Sequence, residues 1–125
     1  MSVSYNKVGD IYKALGDTKS ALTSYESSLK IAEELRKRNP DSADYARDLS
    51  VSHDNVGDIY QALGDTKSAL NSYESSLKIA EELRKRNPDS ADYARDLSVS
   101  YNKVGIFIKH WAIRKAPGLK LFEDS

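Results

Sequence analysis

Residues 50–97 read SVSHDNVGDIYQALGDTKSALNSYESSLKIAEELRKRNPDSADYARDL, and residues 2–49 carry the same 48-residue sequence with five exchanges. The exchanges are Tyr5/His53, Asn6/Asp54, Lys7/Asn55, Lys13/Gln61 and Thr23/Asn71. Residues 98–105 begin a third copy that is identical to residues 2–9, after which the pattern ends. A tandem repeat of this length is typical of a solenoid, in which each unit packs only on its neighbours.

The composition disfavours several classes of function. The chain has 125 residues with 19 basic and 19 acidic side chains, so it has no net field to attract nucleic acid or an anionic membrane. It has no cysteine, no apolar run long enough to cross a membrane, and no signal-peptide pattern at its start. We therefore expect a single cytoplasmic domain over residues 1–125 that binds neither nucleic acid nor membrane. Sequence-specific RNA binding by helical repeats is kept as a further and less favoured class of function.

The pattern within one repeat predicts a hairpin of two helices. Residues 39–42, Asn-Pro-Asp-Ser, end one helix and offer Asp41 or Ser42 as the cap of the next. Apolar or small residues at steps of three and four then predict a helix over about residues 43–63. A Gly-Asp pair breaks this pattern, and a second helix is expected over about residues 66–86. Because about two residues separate these helices, we expect them to be antiparallel neighbours.

The charges of the second helix are typical of a solvated surface. Glu26, Glu33 and Glu34 each precede a basic residue by four positions, which is the favourable order for a pair within a helix. The basic run at residues 36–38 and its copy at residues 84–86 fall in the last helical turn, where cations suit the helix dipole. We interpret this run as a solvated helix end rather than as a phosphate-binding or targeting patch.

The most specific motif is the spacing of aromatic and small residues inside the hairpin. The first copy reads Tyr5-x2-Val8-Gly9-x2-Tyr12 and then Ala21-x3-Tyr25, and the second copy keeps this spacing. The spacing resembles the tetratricopeptide repeat family. The resemblance covers about residues 2–105 and implies an all-α fold, a right-handed superhelical stack of about five helices in antiparallel hairpins. Its parts would be repeat 1 at residues 2–49, repeat 2 at residues 50–97, and a partial repeat with a divergent helix at residues 98–125.

The repeat is longer than the family's usual unit. The family repeats about every 34 residues, whereas this unit takes 48 residues. Part of the excess precedes Pro40, and the rest, roughly residues 43–49, precedes the motif of the next helix. Both helices of the hairpin are therefore expected to be about two turns, or ~10 Å, longer at the same end. This arrangement resembles the long-repeat variants of the family.

In the family, the first helix of each hairpin lines a concave groove that usually binds peptides. Carried onto the matching positions, the resemblance implies a peptide- or protein-binding site at Asn6, Lys7, Asp10, Lys13, Asp54, Asn55, Asp58, Gln61, Asn102 and Lys103. Three of the five exchanges between the copies fall at these positions, as expected for a diversifying binding face or for free drift at exposed sites. Asp10 and Asp58 would repel a peptide's C-terminal carboxylate, so a basic or mixed-charge peptide fits better.

The chain becomes apolar where it leaves the repeat. We expect its last helix to run to about Lys115 and to carry a self-association surface made of Ile106, Phe107, Ile108, Trp111 and Ile113. The first helix in turn lacks the leader found at residues 43–49. We therefore predict a homo-oligomer, a dimer in the first instance, formed end to end or by exchange of a hairpin. A fragment or an engineered chain is the alternative explanation of the two ends.

No motif predicts catalysis, a metal site or a cofactor. His53 and His110 have no Cys or His partner at ligand spacing, and His53 replaces the tyrosine of the other copies as a packed imidazole. The Gly-Asp-Thr-Lys turns are explained as helix caps rather than as phosphate loops. The sequence thus predicts a non-enzymatic scaffold that binds a protein or peptide. The alternative is a structural self-assembly module with no separate ligand.

Overall fold

The computed structural model describes the backbone of residues 2–115 and the side chains of residues 4–106. This part of the chain forms α1 (Ser2–Ala14), α2 (Thr18–Arg38), α3 (Ala43–Ala62), α4 (Thr66–Arg86) and α5 (Ala91–Lys115). Each helix packs on the next one, and no β-strand is present among the described residues. The predicted all-α stack of helical hairpins is therefore confirmed. None of the described helices combines the length and the apolar composition that crossing a membrane requires.

The turn between α3 and α4 is closed by the Gly-Asp pair. Gly64 has a φ of +83°, in the left-handed region that residues with a side chain rarely adopt. Asp65 then caps α4, because its carboxylate accepts a hydrogen bond of 3.1 Å from the Ser68 N–H. The turn before α2 repeats this geometry. Of the two caps proposed for α3, Ser42 is the one used, accepting from the Tyr45 N–H at 3.2 Å.

The core is made mostly of small side chains and one large ring from each second helix. Its most buried apolar side chains are Ala21, Tyr25, Ala32, Ala46, Val56, Ile59, Ala69, Tyr73, Ala80 and Leu83. The rings of Tyr25 and Tyr73 lie directly against glycines of the preceding helix. A Cβ on Gly57 would lie 2.8 Å from Tyr73 Cε1, and a Cβ on Gly9 would lie 2.6 Å from Tyr25 Cε1. Each of these glycines thus allows close contact with the tyrosine ring of the following helix.

The ion pairs of the described residues join different helices. Among the described residues, the ion pairs are Arg36–Glu82 at 3.0 Å, Arg47–Asp96 at 2.8 Å and Lys103–Asp58 at 3.5 Å. Arg36 therefore belongs to an inter-helix contact and not to a solvated helix end. The expected pair of Glu26 within α2 is likewise replaced, because Glu26 accepts a hydrogen bond from the Tyr60 hydroxyl at 3.2 Å. The rest of the basic run is exposed as expected, at Lys37, Arg38, Lys85 and Arg86. The interpretation as a solvated surface was wrong for Arg36 and for the pairing of Glu26.

The glycine contact can be tested by adding one methyl group. We expect Gly57→Ala to lower the free energy of unfolding by about 2 kcal/mol, because the Tyr73 ring must shift out of its packed position. Gly105→Ala is the matched control, since a Cβ there meets nothing within 4 Å. It should raise the stability by up to about 1 kcal/mol through helix propensity. The free energies of unfolding are measured by urea denaturation of both variants. An equal change in the two would contradict the contact between Gly57 and the Tyr73 ring.

Candidate peptide-binding face

Polar side chains of α1, α3 and α5 meet along one surface. We call this surface the polar strip; it comprises Asp10, Asp54, Asp58, Gln61 and Lys103. Lys103 pairs with Asp58 at 3.5 Å and lies over the Tyr73 ring, 5.2 Å from its centroid. Asp10 and Asp58 both act on the Tyr25 hydroxyl and help to raise its pKa, which burial raises most. Side chains from three helices are thus within electrostatic reach of one another.

Each hairpin holds one aspartate of the strip with a tyrosine from its second helix. The Tyr25 hydroxyl donates to Asp10 Oδ1, and the Tyr73 hydroxyl donates to Asp58 Oδ1. Both rings are buried, so only the phenol end reaches the strip. Burial, followed by the bond to the aspartate, raises the pKa of both phenols, which therefore stay protonated at neutral pH. The result is a pair of carboxylates fixed in place by neutral donors.

The two fixed carboxylates differ in their basic partners. Asp58 pairs with Lys103, and the Gln61 side-chain oxygen also lies 3.2 Å from the Tyr73 hydroxyl. Asp10 has no basic side chain within 4.0 Å among the described residues. The reason lies in the sequence, because Asn55 stands in α3 at the position that Lys103 holds in α5. Asp10 is therefore a hydrogen-bonded carboxylate without an ion-pair partner among the described residues.

Asp54 lies deeper than the other residues of the strip. Burial raises its pKa, against the opposing effects of Lys103 and of a hydrogen bond from Ser76. The Ser76 hydroxyl also lies 2.7 Å from that of Ser50. Asp54 Oδ1 is buried without a hydrogen-bond partner, as is Oδ1 of Asn6 at the same position of the first copy. Asp54 thus carries a charge that its surroundings compensate incompletely.

The remaining predicted site residues lie beside the strip. Lys7, Lys13 and Asn102 are exposed, and Asn55 is half-buried. Ile106 of the predicted self-association surface is 54% exposed. The other members of that surface, Phe107, Ile108, Trp111 and Ile113, lie outside the described side chains.

Sequence reasoning missed the role of the tyrosine hydroxyls. The repeat motif included Tyr25 and its copy Tyr73, but their hydroxyls were assigned no partner. The available signal was the separation of 15 residues between aspartate and tyrosine, which both copies keep. His53, expected to be a packed imidazole, is half-buried, and its burial lowers its pKa against the opposing charge of Glu33.

Comparison with known proteins decides the family. The sequence profile of the tetratricopeptide repeat matches residues 1–82, which include α1 to α3 and most of α4. The chain belongs to the tetratricopeptide repeat family. A search of the curated proteins returns no match. Tetratricopeptide repeats are typically non-catalytic modules that bind proteins, and no described group of three or more His, Cys, Asp or Glu side chains is arranged to hold a metal ion.

The hydrogen bond between Tyr73 and Asp58 should contribute measurably to the stability of this tetratricopeptide repeat. Tyr73→Phe keeps the buried ring but removes the donor, so we expect the free energy of unfolding to fall by about 1 kcal/mol. Tyr101→Phe is the matched control, because its exposed hydroxyl bonds Glu81 at 2.9 Å. That change should stay within about 0.5 kcal/mol. Equal losses in urea denaturation would show that the buried bond has no special weight.

The charge of Asp54 should cost stability at neutral pH. Since its pKa is higher in the folded than in the unfolded protein, the folded state loses stability as the pH rises through this range. Asp54→Asn restores the residue of the first copy, and we expect it to be about 1 kcal/mol more stable than the parent at pH 7. The difference should shrink at a pH below the usual range of aspartate, where both states are protonated.

Asp58→Asn serves as the control in the same denaturation series. It removes the negative charge that pairs with Lys103 and that strengthens the bond accepted from the Tyr73 hydroxyl, so this variant should be less stable than the parent at pH 7. A stabilisation by Asp54→Asn that did not depend on pH would contradict an electrostatic origin.

Proposed function

We propose that the polar strip binds a peptide or protein segment that carries basic residues. The observation that supports this most is the state of Asp10. Its carboxylate is held in place by Tyr25, is exposed, and has no basic partner among the described residues. An ordered carboxylate of this kind suits the ammonium group of a lysine or the guanidinium group of an arginine, because the geometry is set before the ligand arrives.

The neighbouring predicted residues fit an extended peptide of mixed charge. The amides of Asn6, Asn55, Gln61 and Asn102 supply donors and acceptors for a peptide backbone. Lys7 and Lys13 supply positive charge at the α1 side of the strip, where they would meet acidic residues of the ligand. The proposed scaffold is non-enzymatic and needs no cofactor, and its balanced charge favours a protein partner over nucleic acid or membrane.

Self-association is a second proposed property, with the alternative that assembly is the chain's whole function. Ile106 is exposed, and the space beside Gly105 is open where the equivalent Gly57 is covered by Tyr73. The predicted apolar surface continues through Phe107, Ile108, Trp111 and Ile113. If it joins copies, Trp111→Ser should lower the particle mass measured by light scattering at high concentration.

The binding proposal is tested with peptides selected from a random displayed library on the immobilised chain. We expect selected sequences to be enriched in lysine and arginine, and Asp10→Lys to weaken their binding by roughly tenfold. Glu74→Lys, which reverses an exposed charge on α4, is the control with the same change in net charge and should leave the affinity unchanged. Selected peptides that lack basic residues, or equal losses in both variants, would overturn the proposal.

A further inference from the structure

The near-identical repeats allow the same side chain to be compared in two environments. Val56 and Ile59 of α3 are 3% and 0% exposed, and both belong to the cluster formed with Ala21 and Tyr25 of α2. Their counterparts in α1, Val8 and Ile11, are 43% and 61% exposed. The side of α1 that matches the α2-facing side of α3 is therefore open.

The interface between α4 and α5 indicates which surface the open side of α1 can bind. Val104 of α5 packs with Tyr73 of α4, and the Tyr101 hydroxyl donates to Glu81 of α4 at 2.9 Å. Lys103 adds the ion pair with Asp58. These three α5 residues lie within residues 98–105, which are identical to residues 2–9. Helix α1 thus carries every side chain of this stretch that α5 uses to contact the second repeat.

The exchanges between the copies make this match selective. Helix α1 has Tyr5 and Lys7 at the positions of Tyr101 and Lys103, whereas α3 has His53 and Asn55 there. Tyr5, Lys7 and Val8 are all exposed in the structure. The first helix therefore presents the same donors and the same apolar residue that hold α5 on α4, and within the described part of the chain these donors have no partner.

We propose that α1 of one copy docks on α4 of a second copy in the place of α5, so that the two chains continue as one head-to-tail stack. The inference rests on the proposed self-association but places it on the open side of α1 instead of the apolar surface of α5, with Val8 on Tyr73, Tyr5 on Glu81 and Lys7 on Asp58. The occupant of the open α1 side is thus a second copy of this chain, and the interface is a continuation of one that the chain already contains.

Two further contacts favour the incoming helix over α5. The incoming α1 brings its own α2, which carries Glu34, the equivalent of Glu82. Because Glu82 pairs with Arg36 within one chain, Glu34 of the incoming copy can pair with Arg84, the equivalent of Arg36. Tyr12 corresponds to Tyr60, which bonds Glu26, and can donate to Glu74, whereas α5 has Ile108 at that position. Two features favour α5 over the incoming helix. It is covalently connected to α4, and its Asp96 forms an ion pair with Arg47 of α3. Assembly therefore requires a high protein concentration that competes with the tether.

The absence of cysteine from the chain makes the register accessible to disulfide trapping. Ser28 and Ser52, on α2 and α3, have hydroxyl oxygens 3.5 Å apart, and the equivalent positions on α4 and α5 are Ser76 and Ser100. Ser4 is the third equivalent, on α1. Ser4→Cys/Ser76→Cys should form a disulfide between two chains under the proposal, because α1 and α4 are not neighbours within one chain.

Two further double variants complete the experiment. Ser76→Cys/Ser100→Cys, once oxidised, fixes α5 on α4 and should keep the protein monomeric. Ser28→Cys/Ser52→Cys fixes α2 on α3 through an equivalent pair, leaves α4 and α5 free, and should associate like the parent. Particle mass is measured by light scattering from about 10 µM to about 1 mM, a range chosen to reach the effective concentration of a short tether.

Charge reversals provide a second test that leaves the core untouched. Lys103→Glu weakens the hold of α5 on Asp58 but leaves Lys7 intact, so association should strengthen by roughly fivefold. Lys7→Glu weakens only the incoming helix and should reduce association by a similar factor.

The outcomes separate this inference from the proposed functions. It is overturned if the parent stays monomeric across the whole range, if no disulfide forms between copies, or if the α4–α5 lock associates like the parent. In the last case, loss of association by Trp111→Ser would leave self-association in place but through the apolar surface instead. Binding of the selected peptides by the oxidised α4–α5 lock reports on the peptide proposal independently.

Discussion

The contact between a tyrosine ring and a glycine in the preceding helix connects the packing of each hairpin to its polar surface. The ring of Tyr73 occupies the space that a side chain at position 57 would take, and Tyr25 does the same at Gly9. This close approach brings the phenol to the aspartate that directly follows the glycine, and the hydroxyl donates a hydrogen bond to it. A single residue thus contributes both buried apolar area and a hydrogen bond at the surface.

Because the repeats are nearly identical, the same side chain can be compared in different structural environments. Asp10 and Asp58 have the same tyrosine donor, yet only Asp58 has a lysine beside it among the described residues. Val8 and Val56 are the same side chain, yet one is exposed and the other lies in the core. In each case the difference comes from the helix that follows or precedes. The binding and assembly proposals both depend on these differences between equivalent positions.

Local signals were sufficient to predict the helices and their caps. Proline, the Gly-Asp pair and the spacing of apolar residues placed α3 and α4 almost to the residue, because each signal acts on the chain within a few positions. The partners of Arg36, Glu26 and Tyr73 were not predicted, since they lie on helices 12 to 46 residues away. Which charges meet depends on the offset between neighbouring helices, and the spacing along one helix does not contain that offset.

The proposed binding of a basic peptide depends on the surface formed by the tyrosine-held aspartates. The most direct measurement is the change in backbone amide chemical shifts of the isotopically labelled chain on addition of a lysine-rich peptide selected on it. We expect the largest changes in α1 and α3 around Asp10 and Asp58, and we expect these changes to weaken with added salt. Changes concentrated on the outward sides of α2 and α4, with the residues around Asp10 unaffected, would contradict it.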